Sequence, residues 1–110
     1  MIRFVMLEEE SGMDNTVTSN NEIAGELERI ADLLKVKGNG HLAYRAAAER
    51  VMRAGIDIPG LVESGMDHRI SYFPGIGERF RGLIAEFVKT GRTELRSRLE
   101  REAAGMRRTG

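Results

Sequence analysis

Apolar side chains in this chain recur three and four positions apart, in short runs that glycine keeps interrupting, and such a pattern points to a bundle of short helices. The interruptions fall at Gly38, Gly55, Gly65 and Gly91. No segment alternates apolar and polar residues with the period of two that a half-buried strand requires. The expected fold class is all-α, a compact bundle of about five or six short helices.

The first helix is expected in "TSNNEIAGELERIADLLKVKG", where Ser19 followed by Glu22 has the form of a capping box and Asn20 or Asn21 is the alternative cap. Ile23, Leu27, Ile30, Ala31 and Leu34 form its apolar face, and Gly38 stops it. "HLAYRAAAERVMRAG" reads as a second helix that turns Leu42, Ala47, Val51 and Ala54 to the first and ends at Gly55. "IDIPGLVESG" is a short third helix, with Pro59 in its first turn and Leu61 and Val62 as its apolar face. "MDHRISY" is another short helix, leading into a Pro-Gly-Ile-Gly turn. A long helix follows in "ERFRGLIAEFVKTG", with Phe80, Leu83, Ile84, Phe87 and Val88 on one stripe. Thr93 then caps "TELRSRLEREAAG", where Leu95, Leu99 and Ala103 align. The helical domain is expected over residues 19–105, between a flexible tail at 1–18 and a short C-terminal tail at 106–110. "MIRFVML" is either an added strand or part of the first tail.

Composition narrows the chemistry. The 110 residues suit one domain, and 41% hydrophobic with 31% charged residues can both fold and stay hydrated. No cysteine and two histidines exclude a disulfide scaffold, a thiolate zinc site and a cysteine nucleophile. The apolar opening is too short and wrongly flanked for a signal peptide or a membrane span, so a cytoplasmic location and no membrane partner are expected.

The net charge of zero hides a split. Residues 1–34 carry two basic and eight acidic residues, a balance of −6, and residues 35–110 carry a balance of +6. The basic part can face phosphates although the molecule as a whole is neutral.

"FPGIGERFRGLIAEF" concentrates the functional signal. Pro74 restricts one backbone dihedral, Gly75 and Gly77 allow positive φ and close approach of another backbone, and Ile76 can plug the turn into the core. The turn either does no more than join two helices or presents the unpaired N–H groups of a helix N-terminus to an anion. Arg79 and Arg81 in the first turns of the helix, with Lys89 and Arg92 farther along, favour phosphate as that anion. Nothing here reads base edges, so DNA binding would be independent of sequence and strongly dependent on salt.

From Asn21 to Leu99 the chain resembles the N-terminal domain of family X (polymerase beta-like) DNA polymerases. The carriers, in the family's order and close to its spacing, are "NEIAGELERIADLLKVKG", "AYRAAAERV", "DIPGLVESG", "FPGIGERF" and "EFVKTGR". The resemblance implies a helical bundle containing one helix-hairpin-helix motif, which grips the DNA backbone near gaps, nicks or 5′-phosphates. It also implies a monovalent cation, sodium or potassium, on the hairpin carbonyls of Ser71, Phe73 and Ile76. By the same resemblance Pro74, Gly75, Ile76 and Gly77 would form the hairpin, with the N–H groups of Gly75 and Gly77 facing phosphate, and Tyr44 and Arg79 would form part of the phosphate-side surface.

Departures from the family qualify the function. The position of the family's Schiff-base lysine is Leu83, which cannot form an imine, and a neighbouring arginine stays protonated. Arg81 stands where a small residue usually packs, and the segment from Gly65 to Pro74 is longer than is common. Within 110 residues no polymerase palm is expected, so the chain reads as a non-enzymatic DNA repair accessory. Its partners would be the DNA phosphate backbone and a polymerase, a nuclease or another repair protein. The alternatives are a protein-interaction module on the same fold and a residual abasic-site lyase.

The remaining candidates carry two readings each. His41 is either a helper at a phosphate or a solvated loop residue. Tyr44 is either a stacking residue at DNA or a half-buried packing residue. His68, between Asp67 and Arg69, lacks catalytic partners and reads as a surface residue.

Overall fold

The computed structural model describes residues 19–38 and 40–109, with side chains described as far as Gly105. The expected N-terminal tail, including "MIRFVML", lies outside the described residues. All regular structure in the described residues is helical: α1 (Asn20–Lys37), α2 (His41–Met52), α3 (Ile58–Glu63), a 3₁₀ helix (Asp67–Tyr72), α4 (Gly77–Thr90) and α5 (Glu94–Thr109). This is the expected all-α bundle.

Local chemistry sets the helix ends. Ser19 caps α1 in a complete capping box: its hydroxyl accepts from the Glu22 N–H while Glu22 reaches back to the Ser19 N–H. Gly38 and Gly91, both in the left-handed conformation, close α1 and α4. The Asp57 carboxylate caps α3 at the Gly60 N–H, with Pro59 in the first turn. Helix α2 ends at Met52, before the expected Gly55, and Leu42 is 71% exposed although its spacing suggested a place against α1. Helix α5 continues through Gly105 to Thr109, because a glycine in an α-helical conformation lowers propensity without stopping the helix.

Helix α1 packs along α2, and α5 returns onto α1. The 3₁₀ helix and α3 pack on α4. The main core joins Ile23 and Leu27 of α1, Ala47 and Val51 of α2, Ile58 and Val62 of α3, Ile70 of the 3₁₀ helix, and Phe80, Ile84 and Val88 of α4. Ile76, 3% exposed, enters the same core and anchors the turn as its position suggested. Burying such a side chain stabilises by roughly 1.5–3 kcal/mol. A smaller cluster of Ile30, Leu33 and Leu99 holds α5 on α1, and Tyr44 and Leu83 pack against both clusters.

Two polar clamps complete the bundle. The Asn20 side chain donates to the carbonyls of Ile56 (2.8 Å) and Val51 (3.4 Å) and accepts from the Ile58 N–H (3.0 Å), tying the α2–α3 link to α1. Glu26, 4% exposed, accepts from the Thr93 hydroxyl (2.8 Å) and from the Arg96 guanidinium (2.7 Å), tying α5 to α1.

Candidate functional site

The turn between the 3₁₀ helix and α4 is built from the residues its sequence suggested. Gly75 and Gly77 both have positive φ, 86° and 62°, which only glycine adopts readily. The N–H groups of Ile76 and Gly77 donate to the Phe73 carbonyl, at 3.1 and 3.3 Å. The Gly77 N–H, expected to face phosphate, therefore already has a partner, although a long one. The cation sought at the carbonyls of Ser71, Phe73 and Ile76 meets a related difficulty. Two N–H groups use both lone pairs of the Phe73 oxygen, so the trio fits an ion less well than the resemblance implies.

The two glycines differ in what surrounds them. A Cβ on Gly77 would meet nothing within 4 Å. A Cβ on Gly75 would come 2.7 Å from Cγ of Arg50 and 3.1 Å from its Cδ and Nε. The space opened by the missing side chain at residue 75 is thus filled by an α2 arginine.

Arg79 and Tyr44 come together as expected. The Arg79 guanidinium lies 5.6 Å from the Tyr44 ring centroid and 5.3 Å from that of Phe80, while the two rings meet edge to face at 5.0 Å and 86°. Tyr44 is half-buried, so it both packs in the core and supports this cation. Arg79 makes no ion pair among the described residues, so its charge is free.

Arg81 is placed differently. Its guanidinium is held by Glu78 and by Asp67, the latter at 2.9 Å. The hydrogen bond it donates to Glu78 is the main reason that Arg81's pKa is raised, and the same bond holds the Glu78 carboxyl below the usual carboxylate range. A small residue at 81 would leave Asp67 without this partner. Arg81 therefore braces the 3₁₀ helix against α4, and the long segment before the turn gains an internal support.

Lys89 and Arg92 are exposed at the far end of α4, Lys89 about 18 Å along the axis from Gly77 at 1.5 Å per residue. The fold does not bring them to the turn. His41 is the first residue of α2, half-buried, and its Nδ1 has no hydrogen-bond partner among the described residues. His68 is exposed on the 3₁₀ helix. Leu83 is partly buried between the two clusters, where its aliphatic side chain contributes packing.

Three arginines missed by the motif reading border the turn. Arg50 and Arg53 line a cleft of about 440 Å³ with Phe73 and Pro74. Arg69 lines a second cleft, of about 390 Å³, on which Phe73 also borders. Arg50 and Arg69 have no carboxylate partner among the described residues. The sequence signal for Arg50 and Arg53 was weak: "ERVMRAG" reads as the end of a packing helix, and only contact between α2 and the turn reveals its basic edge.

Comparison of the chain with protein-family models, with curated proteins and with solved structures finds no match. No group of three or more acidic, histidine or cysteine side chains suited to a metal occurs among the described residues. No helix among them is long and apolar enough to cross a membrane.

Proposed function

We propose that the chain is a sequence-independent DNA-binding module that uses the 3₁₀ helix, the Pro74–Gly77 turn and α4 as a helix-hairpin-helix grip on the phosphate backbone. The observation that carries this reading is the distribution of unpaired cations. Many basic side chains of the bundle are matched to carboxylates: Arg45 to Glu28 and Asp32, Lys37 to Glu102, Arg96 to Glu26 and Glu100. Six cations are unmatched among the described residues: Lys35 on the last turn of α1 and Lys89 and Arg92 at the far end of α4 lie apart, whereas Arg50 lies over Gly75, Arg79 stands in the first turn of α4 and Arg69 shares a cleft with Phe73. Free guanidinium groups around an apolar-anchored glycine turn suit phosphate oxygens. The resemblance of the motifs, in their order, to those of family X polymerase N-terminal domains supports DNA as the source of that phosphate, with gaps, nicks and 5′-phosphates as preferred sites and DNA repair as the setting. The proposal requires neither a bound cation nor catalysis by this chain.

Fluorescence anisotropy tests it with duplex, single-stranded and 5′-phosphorylated gapped DNA at increasing salt. Dissociation constants of about 10⁻⁴ to 10⁻⁶ M and a salt slope near −0.9 per neutralised phosphate on duplex DNA are expected. The gapped substrate should bind most tightly. Absence of binding to all three at the lowest salt would refute the reading.

A second reading, a protein-interaction module on the same fold, is favoured by one observation. Arg81, which the motif reading assigned to DNA, is engaged by Glu78 and Asp67. Retention of a polymerase, nuclease or other repair protein by the immobilised chain, with no affinity for DNA, would select this reading.

A further inference from the structure

Gly75 is bare, but the space of its absent side chain is not open. Cγ, Cδ and Nε of Arg50 stand 2.7 to 3.1 Å from the point a Cβ would occupy. The arginine side chain is laid over the Cα of Gly75, and Arg50 is one of the residues that line the neighbouring cleft. Arg53, three residues on and just past the end of α2, lines the same cleft.

We infer that this cleft, between the end of α2 and the Pro74–Gly77 turn, is a phosphodiester site in which Arg50 makes the principal contact and Arg53 a second. This rests on the DNA-binding reading above and specifies its chemistry: the turn takes phosphate through an arginine fork that Gly75 makes room for. An arginine whose stem already lies along a backbone surface has less rotamer freedom to lose on binding. Its planar donor fork matches two phosphate oxygens.

The charges around the cleft sharpen the assignment. Glu49 also lines it and pairs with Arg53 at 3.7 Å, but both side chains are largely exposed and such a pair is weak. Two guanidinium groups against one carboxylate leave a net positive cleft. The C-terminal end of α2 presents the negative end of its dipole, so an anion there depends on the arginines alone.

The test compares salt slopes on a 5′-phosphorylated gapped duplex for the unmodified chain and for Arg50→Ala, Arg50→Lys, Arg50→Ala with Arg53→Ala, and Arg98→Ala. The last removes the same charge from α5. Circular dichroism checks that each variant keeps its helices. Arg50→Ala should reduce the slope by about 0.9 and the double variant by roughly twice that. Arg50→Lys should keep the slope and lose affinity, because a point charge replaces the fork. Arg98→Ala should keep the slope. An unchanged slope in Arg50→Ala, or an equal loss in Arg98→Ala, overturns the inference while leaving the DNA reading standing. No binding by the unmodified chain overturns both.

Discussion

The Thr93 hydroxyl donates to the Glu26 carboxylate at 2.8 Å across 67 positions of sequence, and the same oxygen accepts the Arg96 N–H at 3.2 Å. One buried hydroxyl therefore caps α5 and docks it on α1. Thr93 is 0% exposed and Glu26 4% exposed, so neither partner can turn to water when the other is lost. Replacing Thr93 by the similarly shaped valine removes the cap and leaves Glu26 with Arg96 as its side-chain partner. A loss of about 1–3 kcal/mol is expected. Urea denaturation measures it, and a change below about 0.5 kcal/mol, the range of ordinary surface substitutions, would show that the docking depends on Leu99 and its neighbours instead.

Asn20 is the other long-range clamp. Its amide satisfies the Ile56 carbonyl and the Ile58 N–H, and Ile58 is fully buried. Asn20→Ala should destabilise by about 1–3 kcal/mol, since the part-buried Ile58 N–H loses its partner. Hydrogen exchange at the Ile58 amide should accelerate more than exchange in the middle of α4. Equal acceleration at both sites would point to global loss of stability without a local clamp.

Arg79 and Arg81 sit two residues apart and should respond oppositely. Arg79→Ala removes an unpaired guanidinium and should lower the magnitude of the salt slope of DNA binding by about 0.9 with little change in stability. Arg81→Ala should leave that slope nearly unchanged and lower the melting temperature, because Asp67 and Glu78 lose their common partner. Anisotropy and thermal melts on both variants check the contrast, and the reverse pattern would move the phosphate contact to Arg81.

Acid should weaken the outer seams of the bundle first. Hydrogen bonds from basic partners hold four carboxyls below their ordinary values: Asp32 by Arg45, Glu78 by Arg81, Glu100 by Arg96 and Glu102 by Lys37. A depressed folded-state value means that the stabilisation is fully present above the unfolded-state pKa of about 4 and is lost as pH falls through the lower folded-state value. These groups are exposed, so high salt should shrink the effect. Thermal melts from pH 6 to pH 2, at low and high salt, should show stability falling below about pH 4 and less steeply at high salt. A melting temperature independent of pH over that window would mean these pairs contribute nothing.

Local chemistry made much of the fold legible in one dimension. The Ser19 capping box, the Thr93 cap and the glycine stops at 38 and 91 act within a few residues of themselves, so the chain alone announces where these helices begin and end. The apolar stripe through Phe80, Ile84 and Val88, the two positive-φ glycines and the plugging Ile76 were likewise readable from spacing and residue type.

Tertiary structure decided what the turn's surroundings are. Whether an arginine is free depends on carboxylates distant in sequence or on the opposite side of a packed pair of helices, and no periodicity encodes that. Packing of the 3₁₀ helix on α4 joined Arg81 to Asp67, the helix geometry carried Lys89 and Arg92 away from the turn, and contact with α2 laid Arg50 over Gly75. A glycine in a sequence shows that a side chain is absent. Only the folded molecule determines what occupies the space.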